Sequence, residues 1–350
     1  MFDLTERLYN GLKAKTPRDQ RNTYKMYPSS AGQVLSDGTV IGACAREQYY
    51  RWYKCKRSGE VDPEGQLIFE TGDALHDMVT RMIRKTSATS DVEVLSVEQG
   101  VVYPDIFLSG RSDIVLLDKR SGEIHGCEVK TVGEGAIYTM KGKPKLEHIL
   151  QSVVYLDRYT KNANETGTRP PNGWVLLYVA RSESWKLKSY PHGSHFKYIW
   201  QYYITIDDND DVIVQDQLGN LVDTKGLNVG KIFDRYNDIL KQVKNKQLPD
   251  RDYEYQYDEV KLQAMRTANL LNKKDTELVD KWISDGAPQG KLQLDKGDYQ
   301  CRYCNYADTC YSATPDIFDT EETPLIPLPP LSNDNEEGEK EETLTDTILF

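Results

Sequence analysis

The 350-residue sequence has no long hydrophobic run. Its longest unbroken apolar stretch, Trp174 to Ala180, falls far short of the roughly 18–20 residues a membrane helix needs, so no membrane partner is expected. The opening residues, Met-Phe-Asp-Leu-Thr-Glu-Arg, lack the basic region and apolar stretch of a signal peptide. Cysteine is sparse, with 6 residues, and so is histidine, with 5. A reducing, cytoplasmic setting is therefore expected, in which cysteines more often bind metal or stay free than pair. No internal repeat is visible. What is present, 38% hydrophobic residues, suffices for a core and excludes collagen-like, mucin-like and wholly disordered classes.

The net charge of −11 is unevenly placed. Residues 313–350 hold eleven acids and one base, Lys340, so the preceding 312 residues carry only −1. A nearly neutral body does not argue against a nucleic-acid partner. The tail also holds five of the fifteen prolines, and low hydrophobicity, charge and proline together predict disorder.

Helical periodicity is expected over 45–57, 65–85, 145–160, 228–244 and 258–285. Strands are expected over 92–103, 106–118, 123–131 and 173–180, with a further hairpin over 200–224 and a loop over 133–144. This order suggests an α/β fold, a mixed central sheet flanked by helices. The expected organisation is a lead-in over 1–40, a core over 41–190, a hairpin and helical part over 191–312, and the tail over 313–350.

One strand pair concentrates charge. Residues 111–118 and 123–131 are β-rich and flank the turn Lys119-Arg-Ser-Gly122, a hairpin signal. If Asp118 pairs with Glu123, Asp113 falls opposite Glu128, and alternation puts Glu128 and Lys130 on one face. Facing carboxylates repel unless something positive lies between them, and carboxylates suit hard ions such as Mg²⁺ or Mn²⁺. Taken alone, a surface hairpin with ordinary Glu/Lys alternation would look the same. His76 borders an apolar helix face, and Gln151 and Tyr155 share one.

Together, His76, Gly110-Arg-Ser-Asp113, Glu128-Val129-Lys130 and Gln151-x-x-x-Tyr155 resemble the PD-(D/E)XK nucleases in order and spacing, and within them the RecB type. The proline of the superfamily's name is absent; Ser112 precedes Asp113. The resemblance implies a restriction-endonuclease-like fold. It also implies Mg²⁺ or Mn²⁺ held by His76, Asp113, Glu128 and the Val129 carbonyl, with Lys130, Gln151 and Tyr155 orienting water or phosphate.

Cys301-x-x-Cys304-x₅-Cys310 gathers half the cysteines within ten residues. Three thiolates need a fourth partner for a zinc or iron–sulfur site, and Cys44, Cys55 and Cys127 are candidates. The AddB-type and CRISPR-associated RecB-like exonucleases carry one cysteine before the nuclease core and three after it. Similarity to them implies a [4Fe–4S] cluster on Cys44, Cys301, Cys304 and Cys310, tying the helical C-terminal part back to the core; Zn²⁺ is the alternative occupant.

The run Tyr49 to Arg57 mixes aromatic and basic residues, as single-strand binding does. Tyr50, Arg51 and Lys54 are therefore nucleic-acid candidates, beside Lys141 and Lys143 of a basic loop. An amphipathic helix or a solvated loop would give the same pattern. The acidic tail ends in Ile348-Leu349-Phe350, similar to docking peptides for a sliding clamp or to the tails of single-stranded DNA-binding proteins. The resulting expectation is a metal-dependent DNA exonuclease acting on single-stranded DNA or ends in replication, recombination or repair, in a bacterial or virus-infected host cytoplasm. The competing readings are a non-catalytic DNA-binding scaffold and an endonuclease or end processor working within a partner complex.

Overall fold

The computed structural model describes residues 24–58, 63–87, 89–181, 198–290, 292 and 294–312. Two short antiparallel strands, β1 (Gly32–Val34) and β2 (Val40–Gly42), precede α1 (Ala45–Trp52) and the long α2 (Pro63–Ser87). A meander follows: β3 (Val92–Tyr103), β4 (Leu108–Asp118) and β5 (Glu123–Val132). Then come α3 (Glu134–Met140), α4 (Leu146–Thr166), β6 (Gly173–Ala180), β7 (Ile199–Ile206) and β8 (Val212–Gln215). The remaining helices are α5 (Val229–Lys244), α6 (Glu259–Thr267), α7 (Lys273–Ser284), α8 (Tyr299–Arg302) and α9 (Ala307–Tyr311).

Strands β3 to β8 form one mixed sheet in sequence order. All neighbours are antiparallel except β5 and β6, which run parallel. A parallel pair needs a long crossover, and α4 supplies it. That helix buries Ile149, Leu150, Val153 and Val154 completely. It stops at Gly167, whose φ of 68° lets its N–H reach back to Ala163 O, the left-handed cap that glycine favours. Strand β6 is central, and Trp174, Leu176 and Tyr178 are each 0% exposed. The Trp174 ring lies so close to the neighbouring strand that a Cβ on Gly126 would sit 2.0 Å from it. Elsewhere Val79 of α2 packs on Ile114, Cys127, Val129 and Val179. Burying each such aliphatic side chain contributes about 1.5–3 kcal/mol.

Several expectations shift in detail. Strands β7 and β8 extend the core sheet past residue 190. The span 133–144 contains α3, and 258–285 is two helices, because the Asn272 side chain caps a new start by accepting the Asp275 N–H. Part of the lead-in packs into the body: Met26 is 2% exposed, its N–H donates to Phe107 O, and its carbonyl accepts from Ser109 N–H of β4. No helix among the described residues is long and apolar enough to cross a membrane. The tail expectations fall on residues 313–350, outside the described residues.

Candidate active site

The β4–β5 hairpin has the register its turn predicts. Asp118 pairs with Glu123 and Ile114 with Cys127, which puts Asp113 opposite Glu128 at the next rung. There the Asp113 side chain takes over a backbone partner, accepting the Val129 N–H on Oδ2 at 2.7 Å. A strand residue's N–H and C=O point to the same side, so the Val129 carbonyl is turned the same way. Gly110, on the strand leading in, is crowded: a Cβ there would lie 2.7 Å from Pro28 and 3.3 Å from the Tyr155 hydroxyl.

Glu128 is the buried hub, 3% exposed at its side chain. Its Oε1 is 2.7 Å from Lys130 Nζ and accepts from Gln151 Nε2 at 2.8 Å. Lys130 also donates to Gln151 Oε1 at 2.8 Å, and the Gln151 amide lies 3.3 Å from the Tyr155 hydroxyl. Helical spacing on α4 brings Gln151 and Tyr155 to this point together. Burial pushes the Glu128 carboxyl up to about 7 despite the Lys130 ammonium beside it. Its second oxygen, Oε2, is buried without a hydrogen-bond partner.

His76 of α2 approaches from the other side. Its Nε2 is 3.2 Å from Asp113 Oδ2 yet off the line a hydrogen bond needs, so that buried nitrogen has no hydrogen-bond partner. The Asp113 carboxylate, with Glu98 and Glu128 behind it, holds the imidazole above its ordinary 6.5. Ligand atoms of His76, Asp113 and a third residue, Glu98, lie within 4.8 Å of one another. Ligands on one octahedral ion at about 2.1 Å stand roughly 3–4 Å apart, so small side-chain adjustments would close the set. Glu98 escapes a sequence reading, because a glutamate within an alternating strand looks like a solvent-side residue.

The cysteines converge as well. Cys44, Cys301, Cys304 and Cys310 line one cavity, with Arg46, Tyr50 and Arg251 among its other walls. Cys127 is buried in the core behind the hairpin, and Cys55 is not among the lining residues. Burial pushes the Cys44 and Cys304 thiols up to about 12. Arg46 Nη1 points at Cys310 Sγ from 3.7 Å. Hydrogen bonds already join the two sequence-distant walls: Asp308 N–H donates to Ser58 Oγ at 2.7 Å, and Thr309 Oγ1 to Lys56 O at 2.9 Å.

The nucleic-acid candidates divide. Tyr50 is 1% exposed and packs against Tyr306 at 5.8 Å, so its ring is closed to a base; it belongs to the wall of the cysteine cavity. Arg51 is committed to Glu47 at 3.0 Å and Ser30 at 3.3 Å. Lys54 is exposed, its Nζ 4.9 Å from the Tyr24 ring centre. Lys141 and Lys143 are exposed on the turn that feeds α4, the helix carrying Gln151.

The PD-(D/E)XK nuclease superfamily model matches residues 43–311. Among solved structures, an alkaline exonuclease from Laribacter hongkongensis is similar at 12% identity over 76% of this chain and 100% of that one, with a TM-score of 0.36. No curated protein matches.

Proposed function

The chain belongs to the PD-(D/E)XK nuclease superfamily, and from that premise we propose that it is a metal-dependent DNA exonuclease, hydrolysing phosphodiester bonds of single-stranded DNA or DNA ends in replication, recombination or repair. The observation that carries this reading is Glu128, a buried carboxylate whose Oε1 is held by Lys130 and Gln151 while Oε2 has no partner. Leaving a buried anionic oxygen unsatisfied is costly. A hard divalent cation relieves it, and His76, Asp113, Glu128 and the Val129 carbonyl would hold Mg²⁺ or Mn²⁺. When bound, the ion supplies Lewis acidity at the scissile phosphate.

The chain's own residues do the rest. Lys130 spends two of its three N–H donors on Glu128 and Gln151; the third is left to orient a water or to meet a developing negative oxygen. Gln151 fixes both Lys130 and Glu128, which keeps the ammonium from folding away. Tyr155 stacks on the buried Trp174 at 5.8 Å, so its hydroxyl is a fixed partner for Gln151.

The cysteine cavity supports a second centre of structural character, a [4Fe–4S] cluster on Cys44, Cys301, Cys304 and Cys310. Two guanidinium groups in its wall, Arg46 and Arg251, suit an anionic occupant. Among the described residues, His76, Glu98 and Asp113 form the one set of three ligand atoms within 4.8 Å. No three of the cysteine sulfurs therefore lie within 4.8 Å of one another, whereas thiolates on one zinc stand roughly 3.8 Å apart. Iron and acid-labile sulfide in anaerobically purified protein support the cluster; stoichiometric zinc supports the alternative.

The decisive test incubates anaerobically purified protein with DNA labelled at either end and Mg²⁺ or Mn²⁺, beside Asp113→Ala. Metal-dependent ladders growing from one end and lost in the variant are expected. Cutting of circular single strands would make it an endonuclease. Absence of cleavage by cluster-loaded protein would leave the DNA-binding scaffold.

A further inference from the structure

We propose that Glu98 is a metal ligand of the catalytic centre, joining His76 and Asp113 around a divalent cation. This rests on the nuclease reading above but goes outside its residue pattern.

The backbone argues first. Glu98 lies within β3 with φ of +53°, the left-handed region that a non-glycine residue avoids. Strand β3 pairs Val97 with Ile114 and Gln99 with Ser112, so Glu98 and Asp113 share the rung between, and that rung is missing from the ladder. The next residue but one is Gly100, so a glycine is available nearby yet does not occupy the strained position. Such strain persists where surrounding structure demands it, and it concentrates at functional sites.

The side chain argues second. Its contacts are loose: Arg111 Nε at 3.5 Å, on a side chain 72% exposed, and His76 Nδ1 at 4.0 Å. Neither is worth a strained backbone, since exposed ion pairs contribute little. The carboxylate instead faces another, Asp113, across the broken rung, and two like charges require something positive between them. Independently, two buried atoms at this centre, His76 Nε2 and Glu128 Oε2, have no hydrogen-bond partner. Glu128 Oε2 calls for a positive charge, and His76 Nε2, when unprotonated, has a lone pair to offer the same cation. Glu98 is 44% exposed, so it would approach the ion from the open side, where substrate also arrives.

The test is Mn²⁺ binding by anaerobic titration calorimetry on the full-length chain, with thermal unfolding with and without Mn²⁺. Glu98→Gln keeps the strain and removes the charge; Glu98→Gly removes both. Both should bind Mn²⁺ about 10–100-fold more weakly, and the rise in unfolding temperature on adding Mn²⁺ should shrink in both. Without metal, Glu98→Gly should unfold at the wild-type temperature or above it, because relief of a left-handed glutamate is stabilising. Mn²⁺ affinity within twofold of wild type in Glu98→Gly would overturn the proposal. So would a lower metal-free unfolding temperature with an unchanged Mn²⁺ shift, the mark of a structural role. Asp113→Ala separates the two readings. If it too binds Mn²⁺ normally, the metal centre itself is wrong; if it loses Mn²⁺ while Glu98→Gly does not, only the role of Glu98 falls.

Discussion

The carboxylate centre and the cysteine cavity both crowd electron-rich ligands together, but they differ in what balances the charge. At the carboxylate centre the protein supplies much of the compensation: Lys130 and Gln151 clamp one oxygen of Glu128, and the Val129 N–H clamps Asp113. A site held this way can be nearly complete before any ion arrives, as catalysis requires. In the cysteine cavity burial pushes the Cys44 and Cys304 thiols up to about 12, and the Arg46 guanidinium stands 3.7 Å from the Cys310 sulfur. A site of that kind would be finished only by an occupant. Loss of a group at the first centre should therefore remove chemistry, and loss at the second should remove structure.

The sharpest way to break this contrast is Lys130→Ala. Turnover should fall about 100–1,000-fold, while circular dichroism stays native. The buried Glu128 loses its cation, so the unfolding temperature should also drop, by a few degrees. Wild-type turnover in Lys130→Ala would reject the role given to this residue. Cys304→Ser should do the reverse. Iron content should collapse, and the unfolding temperature should fall by about 10 °C, if the proposed centre ties the segment after residue 294 to residues 44–58 beyond the hydrogen bonds at Lys56 and Ser58. Activity should fall in step with the folded fraction. Full stability in iron-free Cys304→Ser would remove the structural role.

The residues differ in how much of themselves they reveal in sequence. The hairpin register was readable because a turn and a period of two fix every pair once one is fixed, so Asp118 with Glu123 carries Asp113 to Glu128. Gln151 and Tyr155 were readable because four residues is one helical turn. Glu98 was hidden, since a left-handed backbone in a strand has no side-chain signature unless glycine occupies it. Tyr50 misled for a different reason. Aromatic and basic residues mix in the run from Tyr49 to Arg57, but helical period alone does not say which stripe turns inward, and here Tyr49, Tyr50 and Trp52 of α1 are the buried ones. The hairpin of β7 and β8 was readable by itself, but its attachment to β6 was not, because 18 residues separate the two strands and no turn fixes their register.

Proton competition sharpens the contrast further. His76 sits above its ordinary value and Glu128 near 7, and each must be deprotonated to bind metal. Mn²⁺ affinity should therefore fall as pH drops from 8 to 6, by about tenfold or more. In Lys130→Ala the Glu128 carboxyl moves higher still, so the decline should begin at a higher pH. An affinity flat across that range would show that neither group is a ligand.

The smallest expected effect concerns the surface that would bring DNA to the proposed site. A lysine free in solution releases counterions when it meets a phosphate, whereas a guanidinium already neutralised by a neighbouring carboxylate releases few. Lys141 and Lys143, both exposed, are closer to the first kind, although Lys143 feels Asp223, and Arg51, held by Glu47 and Ser30, is of the second. Lys141→Ala with Lys143→Ala should weaken binding to single-stranded DNA several-fold and flatten the salt dependence by roughly 0.7 per lysine. Arg51→Ala should leave that slope unchanged, and any loss it causes should appear in thermal stability instead, through the released Glu47 beside the cysteine cavity. Binding measured by fluorescence anisotropy across a salt series, on Asp113→Ala protein so that the DNA survives, decides between them. If Arg51→Ala flattens the slope and the lysine pair does not, DNA runs over α1 and not over the turn before α4.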